Sequence, residues 1–252
     1  MIQVSFYPQI ITNYQQGSIE GLSTDYAIML LINYACYAAY NVSFFWNKGI
    51  RKEYKDWYGP DSEVAVQSND VAFAIHALVL AFALNLQIIY YGGFKSKPLS
   101  RFSCFLITGI LLLCIVYVIF ILRGYKECNW MVFLYMLAII KLLFSVTSYV
   151  PQLMYNSKRK STVGWNVWQV FLDFSGGFLS LLQLILDSVD LRDFSGIEGN
   201  WAKFLLGVFT LIFDVSFSTK LYFAFLLFYI DRYRMPQAFT SSSSLIYSLI
   251  IY

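Results

Sequence analysis

The sequence predicts an all-α transmembrane bundle of seven helices in a 3+1+3 plan, with a truncated first helix. Three observations predict it. The 252-residue chain is 58% hydrophobic and only 13% charged, whereas an average soluble domain is about a quarter charged. Its apolar residues gather into runs of bilayer length, a span needing about 20 of them. A motif near the N-terminus also returns in the middle of the chain. This composition excludes a disordered chain, a basic nucleic-acid binder and an ordinary soluble enzyme. A net charge of +3 is too weak to imply a polyanionic partner.

The elements follow in order. Residues 1–15 form a helical stub, too short to cross a bilayer alone at about 1.5 Å of rise per residue, and Met1 to Val4 is too short for a signal peptide. Uncharged runs cover 26–46, 71–94 (interrupted only by His76) and 102–122. Three further runs hold interior charges: 128–157 around Lys141, 161–186 around Asp173, and 204–230 around Asp214 and Lys220. The other charges fall between runs and read as loop residues. Residues 1–94 then make a first three-helix repeat, 95–127 a linker helix, 128–233 a second repeat and 234–252 a tail.

Cys36, Cys104, Cys114 and Cys128 match no metal or redox spacing and are expected as buried small hydrophobes. The sequon Asn41-Val42-Ser43 lies at the end of an apolar run, a poor place for an acceptor loop. Lone in its span, His76 is expected in core packing. Loops alternate sides. Side one carries Lys95, Lys97, Arg101, Lys158, Arg159, Lys160, Arg232 and Arg234; side two carries Lys48, Arg51, Lys52, Lys55, Arg123, Lys126 and Arg192. The small basic excess assigns side one to the cytosol.

Compared with itself at an offset of 143 residues, the chain reads P-Q-x3-N-x4-S-x2-G twice, from Pro8-Gln9 and from Pro151-Gln152, each preceded by a serine (Ser5, Ser148). Proline removes an intrahelical hydrogen bond and lets a helix bend, and a glutamine amide can satisfy freed backbone groups. Pro8, Gln9, Pro151 and Gln152 are therefore candidate hinges near the cytosolic face. Alone, either proline would read as a helix end; paired in spans of one orientation, they point to a moving part. Such parallel repeats occur in small transporters.

A charge at the bilayer centre is costly and usually faces a cavity. Lys141, Asp173 and Asp214 each lie roughly 16–20 Å from their loops at helical rise, so one cation and two carboxylates share a level. That set suits a zwitterion, whose carboxylates need a cation and whose ammonium groups need anions or amide oxygens. Trp165, Gln169 and Asp173, with Gly176 and Gly177, share one helical face, as do Lys203, Gly207, Thr210 and Asp214. The competing structural reading is that the aspartates are packing glue. A carboxyl inside a membrane can load a proton from an acidic side and release it to a neutral one, which is a coupling device. Asp70 opens the third span on side two, where it is either a first proton stop or a helix cap.

The duplicated Pro-Gln motif resembles the PQ-loop family, and within it the lysosomal proton-coupled cystine exporters. The resemblance is carried by Ser5-Phe6-Tyr7-Pro8-Gln9, Gly21-Leu22-Ser23, Ser68-Asn69-Asp70, Lys160 to Trp165, Leu172 to Gly177, Ser180 to Gln183 and Phe213-Asp214-Val215, and runs from Ser5 to about Tyr233. It implies a PQ-loop or SWEET-like bundle without cofactor or metal, exporting L-cystine or a related amino acid from lysosome or vacuole by alternating access. It implies Asp173 as the coupling residue with Asp214 and Asp70 in the relay. Implied substrate contacts are Lys141, Tyr149, Gln169 and Lys203, with Phe6 and Tyr34 lining the cavity. Leu30 and Ser148 depart from family positions that carry asparagine and lysine, which leaves cationic amino acids open as substrates.

A sugar uniporter would not need the charged level, and a non-transporting PQ-loop receptor would not need carboxylates on its axis. An intramembrane aspartyl protease would need G-x-G-D and P-A-L settings, which Asp173 and Asp214 lack, so no enzyme activity is expected. Tyr247-Ser248-Leu249-Ile250 fits the short pattern read by cytosolic sorting adaptors, making an adaptor an expected partner alongside the substrate and protons.

Overall fold

In lipid, every backbone polar group must find its partner within the chain, which leaves helices as the way for these apolar runs to cross. The computed structural model describes residues 4–60, 62, 64, 66–92 and 98–159, and positions 161, 163–166, 168, 169, 171, 172, 175, 176, 178, 179, 182 and 186. Seven helices are described: α1 (Tyr7–Gln16), α2 (Thr24–Trp46), α3 (Lys48–Tyr58), α4 (Ser68–Gly92), α5 (Arg101–Leu122), α6 (Trp130–Thr147) and α7 (Tyr149–Arg159). Thr24–Trp46, Ser68–Gly92, Arg101–Leu122 and Trp130–Arg159 are long and apolar enough to span a membrane, the last being α6 and α7 joined through a turn at Ser148. The predicted span 204–230 and the tail lie outside the described residues.

Start signals are local. Ser23, Ser100 and Asn129 cap α2, α5 and α6, their side chains accepting from the N–H of Tyr26, Ser103 and Val132. Gly17 ends α1 in the left-handed region at φ 56°, its N–H donating back to Asn13 and Tyr14 carbonyls.

The chain divides into two compact units, Met1–Gln152 with Gly164–Gln169, and Leu153–Val163 with Val170–Tyr252. In the first, α2 is the central helix and is used on two faces. One packs on α1 and α4 through Phe6, Leu22, Tyr26, Ala27, Leu30, Leu80, Ala81, Leu84 and Ile88. The other packs on α3 and α6 through Met29, Phe44, Ile50, Met131, Leu134, Leu137, Ile140 and Phe144. Helix association in lipid relies on close packing and hydrogen bonds. The fully buried Ala27 on α2 and Ala74, Ala77 and Ala81 on α4 provide the first; Asn85, donating to the Ala27 carbonyl at 2.8 Å, provides the second. The second unit contains a short local network in which Arg159 donates to the Val163 carbonyl and lies over the Tyr155 ring.

Two expectations are corrected. The charges at 48–55 are not loop residues: they sit on α3, whose N–H groups at Gly49 and Ile50 are capped by Asn47 while Ile50 and Tyr54 anchor it to the α2/α6 core. Burial pushes the Glu53 carboxyl on this helix up, against a hydrogen bond from the Met131 backbone that pulls it down. The cysteines are not buried: Cys104 is exposed and Cys36, Cys114 and Cys128 are partly so, all as free thiols. Cys104 and Cys114 lie on α5, which turns Phe105, Leu112 and Ile115 outward and needs no tight packing there. Asn41 of the sequon is 2% exposed within α2.

Candidate functional site

The two Pro-Gln motifs begin helices. Pro8 is the second residue of α1 and Pro151 the third of α7, positions in the first turn where a missing N–H costs no intrahelical bond. The glutamine side chains that follow are fully buried, and each reaches the loop of the opposite repeat. Gln9 Nε2 donates to the Gly164 carbonyl (3.0 Å) and Oε1 accepts from the Asn166 N–H (2.7 Å). Gln152 Nε2 donates to the Gly21 carbonyl (2.7 Å) and Oε1 accepts from the Ser23 N–H (2.8 Å). All three partners map onto each other at the same offset of 143 (9 to 152, 21 to 164, 23 to 166). The amides thus satisfy backbone groups across the repeats, not those freed by their own proline as the motif alone suggests.

Local structure repeats as well. Ser18 N–H donates to the Asn13 carbonyl and Ser161 N–H to that of Asn156, each at 3.2 Å. Ser18 Oγ accepts from Glu20 N–H and Ser161 Oγ from Val163 N–H. Gly21 and Gly164 hold φ of 107° and 88°. A Cβ on Gly164 would overlap the Glu20 carbonyl, so here only glycine lets the loops meet.

Beside the clasps is an aromatic group. Phe6 and Tyr34 meet edge to face at 5.3 Å, and Tyr26 and Tyr149 lie 5.5 Å apart. Gln169, fully buried, donates to the Tyr26 hydroxyl at 2.7 Å, and its Oε1 has no hydrogen-bond partner among the described residues. The structure therefore gathers four predicted substrate residues, Phe6, Tyr34, Tyr149 and Gln169, around α2. Sequence reading missed Tyr26, which its spacing of one helical turn from Leu30 and two from Tyr34 would have suggested.

Lys141 lies on α6, its ammonium 4.7 Å from the centroid of the Tyr37 ring of α2, an attraction between cation and ring face, and Tyr37 also meets Phe73 of α4 at 6.2 Å. It has no ion-pair partner among the described residues. Asp70 sits in the first turn of α4, where Oδ2 accepts from the Gln67 N–H at 3.0 Å, the return arm of a capping box. His76, further along α4, pairs through Nε2 with the Tyr7 hydroxyl at 3.0 Å and so ties α1 to α4. Asp173, Asp214, Lys203 and Lys220 lie outside the described residues.

The chain matches the family described as PQ loop repeat over residues 2–50 and 133–193. It is 37% identical over 221 residues to a Drosophila melanogaster protein named cystinosin, covering 87% of this chain and 54% of that one. It is 36% identical over 219 residues to a cystinosin homolog of Dictyostelium discoideum, covering 87% and 75%. It is 26% identical over 230 residues to a Saccharomyces cerevisiae protein named cystine transporter, covering 85% and 86%. The chain thus spans about half the length of the Drosophila relative, at 54%.

Proposed function

The chain belongs to the cystinosin-like PQ-loop family of multi-pass membrane proteins, and on that premise we propose that it is a proton-coupled symporter exporting L-cystine or a related amino acid from lysosome or vacuole to cytosol by alternating access. The observation that carries this reading is the Lys141 ammonium, held inside the span over Tyr37 with no carboxylate among the described residues to balance it. A cation in that setting is expensive to keep without an anion. A substrate carboxylate supplies one at the moment of binding.

In this reading Lys141 and Lys203 receive carboxylates, and Gln169 offers its free Oε1 to an ammonium group. Phe6, Tyr34 and Tyr149 pack the apolar middle of the substrate. Asp173 carries the coupling proton, with Asp214 and Asp70 relaying it, and Pro8, Gln9, Pro151 and Gln152 form the hinge region. The names of the relatives, cystinosin and cystine transporter, support cystine as the substrate. The adaptor pattern at Tyr247 supports the organelle address.

A second reading, a transporter of cationic amino acids, is favoured by Leu30, packed in the apolar cluster, and by Ser148, whose buried hydroxyl has no partner among the described residues. Neither offers a charge.

The test is uptake into vesicles containing the reconstituted chain, over a panel of amino acids, with and without an inward proton gradient. Gradient-stimulated cystine uptake is expected. Lys141→Met abolishes it, and Asp173→Asn keeps cystine exchange while losing the gradient's stimulation. Undiminished gradient-driven uptake by Asp173→Asn would overturn the coupling assignment, and preferred uptake of lysine or arginine would select the second reading.

A further inference from the structure

The seam between α2 and α6 carries a second polar contact one turn from Lys141. Asn33 is 2% exposed and its Nδ2 donates to Ser145 Oγ at 3.0 Å, while its Oδ1 has no hydrogen-bond partner among the described residues. The register is that of antiparallel helices: Asn33 and Tyr37 are four residues apart on α2, Ser145 and Lys141 four apart on α6. The seam therefore has two rungs, Asn33 to Ser145 and Tyr37 to Lys141, about 6 Å apart along the axis.

Each rung has an unused valence, and the two are opposite in kind. Lys141 is a cation without an anion among the described residues. Asn33 Oδ1 is an acceptor without a donor, and a buried acceptor left unpaired is destabilising where an apolar residue would not be. Leu30, one turn earlier on α2, is packed among apolar side chains and contributes no polar group. An α-amino-acid head group bears a carboxylate and an ammonium on one carbon, so it fits both valences in one placement.

We propose that Asn33 is a specificity-determining substrate contact, its Oδ1 accepting a hydrogen bond from the ammonium of a head group whose carboxylate lies against Lys141. This rests on the transport reading above and adds to it the residue that distinguishes amino acids from simple carboxylates.

The test compares L-cystine with its des-amino counterpart, 3,3′-dithiodipropionate, in vesicles of the full chain. One is followed by uptake and the other by competition. In wild type, cystine binds better than the des-amino compound. Asn33→Leu is expected to raise the KM for cystine about tenfold with little change in maximal rate, leaving competition by the des-amino compound unchanged. Its melting temperature in detergent is expected to hold, since loss of the bond to Ser145 is offset by removal of a buried orphan acceptor. Asn33→Ser, too short to keep the oxygen in place, should lose the preference in the same way, and serves if the leucine variant does not fold. Ser145→Ala removes only the partner of Nδ2 and should keep the preference.

An unchanged preference in both Asn33 variants overturns the proposal while leaving transport standing. Equal weakening of both compounds, or loss of the preference in Ser145→Ala, assigns Asn33 to packing and also overturns it. A wild-type protein that moves no amino acid removes the transport reading itself, and this contact with it.

Discussion

The two Pro-Gln segments use the same backbone template with different fastenings. In both, a buried glutamine holds the carbonyl and the N–H of the opposite loop, two residues apart. In both, the second loop residue also starts a helix: Ser23 Oγ accepts from Tyr26 N–H and Asn166 Oδ1 from Trp168 N–H. The difference lies in what that capping side chain has left over. The serine is left with one short O–H. Asparagine still has an NH2, and it donates to the Pro8 carbonyl (3.2 Å) and to Thr12 Oγ1 (2.8 Å) on α1. Gln9 also donates to Asn13 Oδ1 at 2.8 Å, and Asn13 donates to Gln87 on α4. Asn166 thus gives the loop held by Gln9 a second side-chain tie to α1, a tie that a serine at the matching position is too short to copy. One amino-acid difference at a capping position has made the repeat unequal while leaving its geometry intact.

The largest expected effect separates two glycines. Gly164→Ala places a Cβ on the Glu20 carbonyl at a φ of 88°, and should cost more than about 3 kcal/mol, so that no monodisperse folded protein is recovered from detergent. Gly17→Ala, at φ 56° with open space around it, should cost only about 1 kcal/mol. Recovery measured by size-exclusion chromatography checks both; a well-folded Gly164→Ala protein would mean the loops do not meet as described.

Next come the glutamines. Gln152→Leu leaves the Gly21 carbonyl and the N–H of the buried Ser23 unpaired and should cost about 2–4 kcal/mol. Gln9→Leu should cost about 1 kcal/mol less, because Asn166 keeps its loop tied and is itself only half-buried. Adding Asn166→Ser should close that gap. Thermal unfolding of the purified variants reads the order, and equal costs for the two single variants would contradict the unequal fastening.

The smallest effect is Asn166→Ser alone, which keeps a cap and loses the two bonds to α1, for about 1 kcal/mol. Ser23→Ala, losing only a cap, should match it at about 1 kcal/mol.

The spans α2, α4 and α5 were legible in the sequence because an uncharged run of bilayer length has little use outside a membrane. The helix α3 was not, since four basic residues in eleven look like a loop. Its signal was Asn47 ahead of Ile50 and Tyr54 on one face, a cap followed by a helical pair. The repeat was legible as a register but its exchange was not, because self-comparison reveals which residues correspond and not which loop each side chain reaches. Phe6, Tyr34, Tyr149 and Gln169 do come together, whereas Asp70 is engaged in capping its own helix. Asn33 gave no signal at all: a single asparagine in an apolar helix looks ordinary until its burial and its empty lone pairs are both known.

The exchange of glutamines also says something about ancestry. A first repeat standing alone would carry a hook with nothing to catch and an eyelet with nothing to fill it. Two copies of that repeat, side by side, would complete each other by rotation, so the arrangement is one that a self-associating half-length precursor could have used before its gene was doubled.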